Sequence, residues 1–387
     1  NPNYSVVWGG GYGYIDESGT QVVRKDFSYA TEFSEGLGGV NVGAPGNDKN
    51  WPTEGKWGFV NLNNFLVINP KYDSPPTNRY APYSLNDLSL YLHEGYVFSD
   101  GLAPVYKRDD VNSDRGRWLY IDSADQVQIR SLTVEKPDGE VASYPILSAR
   151  RFSQGLAAVY ANGAWGYINT RGKLVIPLKY RLADNFRDGY ALVRDENLRQ
   201  ICIDREGQRV FSQYRMESGF WEGVASIKLP FKGIVGELDD EYKLGLMDTT
   251  GKIFFEPQFD RIGRFGSGRA PVLVGSKPKT VISRAEGTDV TDSEGGKWGF
   301  IDRYGRFLIN PIYDEAKGFS NGLAAVRIGW EWGYIDTLGN LVYQPQFMYA
   351  GYFREEIARV KLGSTYNTYR GKQAYINRKG KVVWIAP

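Results

Sequence analysis

Across residues 164–169 the large apolar side chains of Trp165 and Tyr167 alternate with Gly166 and Ile168. A period of two gives a β-strand with two distinct faces and excludes a helix. The pattern recurs as Trp57 to Asn61, Trp118 to Asp122, Trp298 to Asp302 and Trp332 to Asp336, with weaker copies at Tyr12 to Asp16, Gln200 to Asp204, Leu244 to Asp248 and Gln373 to Asn377. A second pattern, Phe-Ser-x-Gly-Leu-Ala-x-Val in its fullest form, starts at Phe33, Phe98, Phe152, Phe186, Phe220, Phe265, Phe319 and Phe353. Phe152, Phe186 and Phe220 are spaced 34 residues apart, as are Phe319 and Phe353, which is a true repeat period.

Each strand of the first pattern ends in Asp or Asn. Three residues later stands Gly19, Asn64, Asp125, Gly172, Gly207, Gly251, Gly305, Gly339 or Gly380. These residue types accept a left-handed backbone, and the preceding Asp or Asn can cap the turn with its side chain. A tight hairpin is therefore expected after every second strand. The third strand is a Val-Ile-Pro-x-Tyr-Asp segment, as at Val175-Ile176-Pro177, and its proline belongs on an edge or at a strand end because it cannot donate a ladder hydrogen bond. The reading is an all-β chain of nine three-stranded antiparallel meanders, at about residues 1–32, 33–97, 98–151, 152–185, 186–219, 220–264, 265–318, 319–352 and 353–387 of a single 1–387 domain.

Composition agrees: 27 Tyr, 19 Phe and 10 Trp with 46 Gly suit short strands and tight turns. The formal charge of +2 gives no reason to expect nucleic acid or an acidic membrane as partner, and no apolar run is long enough to span a bilayer. Cys202 is the only cysteine, which excludes an intramolecular disulfide or a multi-cysteine metal site. The start at Asn1 with no basic-then-apolar leader fits either a mature exported chain or a trimmed one.

The combined motif GLAxV, KWGYID and GKxVIPxYD resembles that of the bacterial WG-repeat proteins, also called KWG-repeat proteins, over essentially the whole chain. Residues Phe319 to Gly339 are nearest to the consensus, whereas Tyr12, Gln200, Leu244 and Gln373 stand where tryptophan is expected. The resemblance implies a non-enzymatic repeat scaffold, often in envelope or exported proteins, so a periplasmic or otherwise exported location is expected, with a cytoplasmic one as the alternative. Three strands per unit and nine units make an awkward ring, so an open curved or superhelical array is expected, with a β-propeller as the alternative.

Function is expected in the loops. Insertions fall between the first and second strands of several units, at Gly43 to Lys56, Tyr106 to Arg117, Lys228 to Lys243, Leu273 to Lys297 and Lys361 to Lys372. All leave the same end of their meanders and would form one rim, where repeat proteins commonly bind. Ser74 to Val97 is a further excursion, and Pro137-Asp138-Gly139 marks an extra hairpin.

On the rim, Trp51, Phe231, Tyr366 and Tyr369 are candidate aromatic anchors, and Glu237, Asp239, Asp240 and Glu241 form an acidic cluster suited to a protein interface. Each has a blander reading as a packed or solvated loop residue. His93 and Cys202 lie in no recognisable catalytic motif, and no cofactor or metal site is expected. The sequence therefore points to a protein-binding scaffold, most concretely an envelope protein that clamps and inhibits a partner such as an exported toxin. A carbohydrate or cell-wall binding module is the alternative.

Overall fold

The computed structural model describes residues 5–7, 11–44, 52, 54–75, 95–110, 113, 115–135, 139–230, 242–282, 289–354, 356–363 and 371–386. Every regular element among them is a β-strand, and neighbouring strands run antiparallel. The chain forms two compact units, residues 1–210 and 211–386.

The repeat is clearest in the first unit at Leu156–Ala161, Ala164–Asn169 and Leu174–Tyr180. Leu156 pairs with Asn169 and Ala161 with Ala164, closed by Asn162-Gly163 with φ of 46° and 81°. Two successive positive φ values are those of the type I′ turn, whose twist matches the flanking strands. All nine residues expected to be left-handed after the Asp or Asn have positive φ, from 61° at Asn64 to 88° at Gly339. The preceding side chain caps the turn as read: Asp336 Oδ1 accepts the amides of Leu338 and Asn340, each at 2.9 Å.

The outer strand departs from expectation. It does not stop at its proline but runs on to Tyr180, with Tyr167 opposite Ile176 and Trp165 opposite Tyr180, so Pro177 lies in an irregular stretch where its missing N–H disturbs no regular pair. There the outer strand presses on the strand beside it: a Cβ built on Gly166 would lie 2.6 Å from the Ile176 carbonyl oxygen. The glycine of the Trp-Gly pair is thus required by close approach of two backbones.

The sequence reading also missed a strand. Ser148–Ala149 pairs with Leu156–Ala161, Leu182–Ala183 with Ala191–Arg194, and Glu315–Ala316 with Leu323–Ile328, so the regular sheets have four strands rather than three. Two residues are too few to leave an alternation in the sequence. The Phe-Ser-x-Gly segment before Leu156 is the turn that follows this short strand, with φ of 55° at Gln154 and 78° at Gly155. Four strands is the size of a propeller blade, so the strand count no longer favours an open array.

Among the described residues, 211–386 hold four four-stranded sheets. Residues 1–210 are less regular. Pairing of Asp73 with Tyr106 fuses two repeats into one seven-stranded sheet, and the hairpin expected at Pro137-Asp138-Gly139 is present as Ser131–Glu135 paired with Val141–Pro145.

The cores lie between successive sheets, and the repeated tryptophans Trp57, Trp165 and Trp332 are all buried in them. The tyrosine or phenylalanine two residues later packs on the phenylalanine that opens the next unit. Ring centroids are 4.9 Å apart for Tyr120 and Phe152, 4.8 Å for Tyr167 and Phe186, 4.9 Å for Phe300 and Phe319, and 4.9 Å for Tyr334 and Phe353. Where this residue is tyrosine its hydroxyl also donates to a backbone carbonyl in or beside the first strand of the next sheet, Tyr120 to Arg150 at 2.7 Å and Tyr334 to Gly351 at 2.9 Å, which satisfies a buried polar group.

Candidate functional site at the rim

Trp51, Phe231, Glu237, Asp239, Asp240, Glu241, Tyr366 and Tyr369 lie outside the described residues, as does His93. What the structure describes is the framework from which the rim loops spring, and this framework carries a device that the sequence reading did not see.

Three aspartates at the end of outer strands do the same two jobs. Asp73 Oδ1 takes Lys56 Nζ at 2.5 Å while its Oδ2 takes the Arg108 amide at 3.0 Å. Asp260 takes Lys243 on Oδ1 and the Ser276 amide on Oδ2 at 2.7 Å. Asp314 takes Lys297 on Oδ1 at 2.6 Å and the Gly329 amide on Oδ2 at 2.6 Å. In each case the lysine precedes Trp-Gly or its counterpart in the same unit, and the amide belongs to the rim side of the next. A carboxylate with two oxygens fits this task because charge-assisted bonds to a cation and an N–H are short and strong.

The spacing was legible. Lysine and aspartate stand 17 residues apart at Lys56 and Asp73, Lys243 and Asp260, and Lys297 and Asp314. Both are missing where Ala164 and Arg181, or Glu331 and Met348, occupy these positions.

The clamp at Asp314 sets the most exposed aromatic among the described residues of the second unit. Gly329 and Trp330 form the two-residue turn between Leu323–Ile328 and Glu331–Asp336, with Ile328 opposite Glu331. Gly329 has φ of 63°, as a turn with glycine first requires. Its amide is held by Asp314, and its carbonyl accepts Arg327 Nη1 at 2.5 Å while Arg327 Nη2 pairs with Glu315 at 2.7 Å. Trp330, 80% exposed, therefore stands on a braced tip. Its signal was a bulky aromatic in a turn where the corresponding residues are Asn162 and Gly163.

The insertion from Leu273 to Lys297 becomes a ribbon rather than an irregular loop. Arg269–Ile282 and Asp289–Asp302 keep one register from Arg269 opposite Asp302 to Ile282 opposite Asp289. Gly275, Gly295 and Gly296 have φ of 76°, 75° and 77°, so the ribbon twists at a neck where Asp260 grips the Ser276 amide. Beyond the neck the register sets Lys277 opposite Glu294 and Lys279 opposite Asp292.

Cys202 is buried in the strand Gln200–Ile203, in the place of the core tyrosine. Burial, with a smaller contribution from Asp204, pushes its thiol up to about 12, far from the thiolate a nucleophile needs. Native protein should therefore react with a thiol-titrating disulfide reagent only when unfolded, and Cys202→Ala should leave binding unchanged. Rapid labelling of folded protein would refute this.

The sequence pattern described as "WG containing repeat" matches residues 12–44, 57–74, 165–198, 245–277, 298–329 and 332–366. The chain is a WG-repeat protein. No curated protein matches it. Among solved structures, this WG-repeat protein is similar to one titled "Crystal structure of the eukaryotic initiation factor", with TM-score 0.54 and 9% identity over 100% of this chain and 97% of that one. It also matches BamB from Moraxella catarrhalis, with TM-score 0.40 and 10% identity over 88% and 95% of the two chains. A third match is the beta-propeller domain of the trilobed protease from Pyrococcus furiosus, with TM-score 0.32 and 11% identity over 73% and 93%. At such identity the first likeness concerns the fold alone.

The family match and the repeated sheets make the WG-repeat chain a repeat scaffold. No helix among the described residues is long and apolar enough to cross a membrane.

Proposed function

We propose that this WG-repeat protein binds a protein partner along its rim, with Trp330 as an anchor. The observation that carries the reading is a tryptophan 80% exposed on a turn braced by Asp314 and Arg327. A large ring fixed before binding loses little freedom when covered, and tryptophan is prominent among residues that dominate interface energies. The clamps at Asp260 and Asp314 add to this by fixing the neck of the ribbon and the tip of the turn.

The more specific form of the proposal is an exported, periplasmic envelope protein that blocks a partner such as a cognate toxin. It is supported by the acidic run Glu237, Asp239, Asp240 and Glu241, which suits steering toward a basic partner, and by several insertions leaving one end of the repeats. Glycan binding is the competing reading, since exposed aromatic rings such as Trp330 also stack on sugars.

The test is to isolate a partner from the native cell extract and compare binding of wild type with Trp330→Ala. A loss of about 30-fold or more, equivalent to the ~2 kcal/mol of a hot spot, is expected with unchanged circular dichroism. A hydrogen-exchange footprint confined to the opposite edge, around Asn169 to Gly172 and Asp336 to Gly339, would place the interface elsewhere. Quenching of tryptophan fluorescence by simple sugars in wild type but not in Trp330→Ala would turn the assignment to a glycan.

A further inference from the structure

In residues 211–386 two cations converge on one phenol, and no carboxylate among the described residues pairs with either. Lys317 Nζ lies 4.0 Å from the ring centroid of Tyr349, 5.1 Å from that of Trp332 and 5.8 Å from that of Tyr352, and it donates to the Ala350 carbonyl at 2.7 Å. Arg359 approaches Tyr349 from the neighbouring strand, its guanidinium carbon 5.6 Å from the ring centroid. Both charges bear on the Tyr349 phenol from its ring side.

The register explains the convergence. Tyr349 pairs with Lys361 and Ala350 with Val360, after which the pairing shifts so that Gly351 and Tyr352 fall opposite Arg359. This places Tyr349, Tyr352, Arg359 and Lys361 on one face of the hairpin, opposite to the face on which Ala350, Phe353, Ala358 and Val360 enter the core.

Neighbouring acids are engaged elsewhere, Asp314 with Lys297, Glu315 with Arg327 and Glu356 with Arg378. Among the described residues neither Lys317 nor Arg359 has a carboxylate partner. The intervening segment 364–370, Ser-Thr-Tyr-Asn-Thr-Tyr-Arg, contains no acidic residue.

Two like charges held around one neutral phenol ring repel each other, and the ring quadrupole offsets this only in part. A bound anion would accept from both, and these are the partners that make charge-assisted bonds strong. Tyr349 and Tyr352 are 37% and 52% exposed, so the place is open to solvent, and their rings can cover whatever group carries the charge.

We propose that Lys317, Arg359 and the Tyr349 hydroxyl form a binding site for an oxyanion, the carboxylate or phosphate of a ligand, walled by the rings of Tyr349 and Tyr352. The phenol supplies a built-in reporter. Burial alone would push Tyr349 up, but the Lys317 and Arg359 charges outweigh it and hold the phenol below its ordinary range. An anion seated between the cations weakens that pull and raises it again. Among the described residues, the other charged or titratable groups facing Tyr349 are Lys361 across the strand pair, Tyr334 and Tyr352.

The experiment is titration calorimetry on the whole chain with inorganic phosphate and, separately, a short glutamate peptide, against chloride at equal ionic strength. Saturable binding of phosphate or of the peptide is expected, and the arm that binds more tightly names the source. Lys317→Gln and Arg359→Gln should each weaken it about tenfold, whereas Tyr349→Phe should keep most of it because both cations remain. The tyrosinate absorbance step missing from Tyr349→Phe should move to higher pH when the anion is bound. Binding no better than chloride, or equal binding by Lys317→Gln and Arg359→Gln with unchanged circular dichroism, overturns the assignment.

Discussion

Valine in place of Gly305 should destabilise residues 211–386 by about 2 to 5 kcal/mol, the largest effect among the turn glycines. Two costs combine there. Gly305 has φ of 79°, which a β-branched residue adopts only under strain, and a Cβ at this position would overlap the ring of Phe255. Phe255 stacks on the buried Phe259 with centroids 5.0 Å apart, so it cannot simply swing aside.

Gly172 and Gly339 share the conformation, but their added Cβ would meet Ile129 at 3.2 Å and Ile309 at 3.1 Å, contacts that small shifts relieve. Gly163 has φ of 81° and open space around it, so Gly163→Val isolates the backbone cost. Denaturant midpoints should fall in the order Gly163, then Gly172 and Gly339, then Gly305. Equal losses at Gly163 and Gly305 would show that the packing against Phe255 has been misjudged.

Asp73→Ala should cost about 2 to 4 kcal/mol at neutral pH. The Asp73 side chain is only 9% exposed, and its removal leaves the Lys56 ammonium and the Arg108 amide without their acceptor. Burial pushes this carboxyl up, but the Lys56 hydrogen bond and charge, the Arg108 amide and the Lys107 charge prevail and hold it below the ordinary carboxylate range.

The sign follows from linkage. A carboxyl with a lower folded than unfolded pKa adds stability that is fully present above the unfolded value, about 3.9, and is lost as pH falls through the folded one. The gap between wild type and Asp73→Ala should therefore be widest near pH 7 and narrow below pH 4. A gap that is constant or widens in acid would mean that Asp73 acts through shape rather than charge. Asp314, 30% exposed in its own clamp, should show the same sign with a smaller amplitude.

Much of this fold could be read before the structure because its rules are local. A left-handed backbone after Asp302 or Asp336 needs glycine or an equivalent within three residues, and the strand around Trp165 needs an alternation, so both leave a mark in a few adjacent letters. The short strand Leu182–Ala183 leaves none, because two residues have no period and its partner Ala191–Arg194 lies beyond a turn. The clamps were missed for another reason: Lys297 and Asp314 meet only because one hairpin brings Trp298 opposite Tyr313 on the adjacent strand, so their relation is a spacing of 17 rather than a motif. At the rim, loop length pointed to Trp51, Phe231, Glu237, Asp239, Asp240, Glu241, Tyr366 and Tyr369. Trp330, in the shortest of turns, was overlooked.

The packing of Tyr120 on Phe152, and of Tyr167 on Phe186, bears on how a gene of this kind changes length. Each ring is finished by a residue encoded in the following copy, so a single copy cut out as an independent module would be left with one half of its core bare. Excision of Phe152 to Lys179 would destroy an outer strand, whereas loss of a full 34-residue step, from Phe152 through Asn185, would bring Tyr120 to face Phe186. A tyrosine would then meet a phenylalanine as before. Unequal crossing-over in whole steps is for this reason chemically silent at the new junction, and duplication and deletion can adjust the number of copies while point mutation works separately on the turns and insertions.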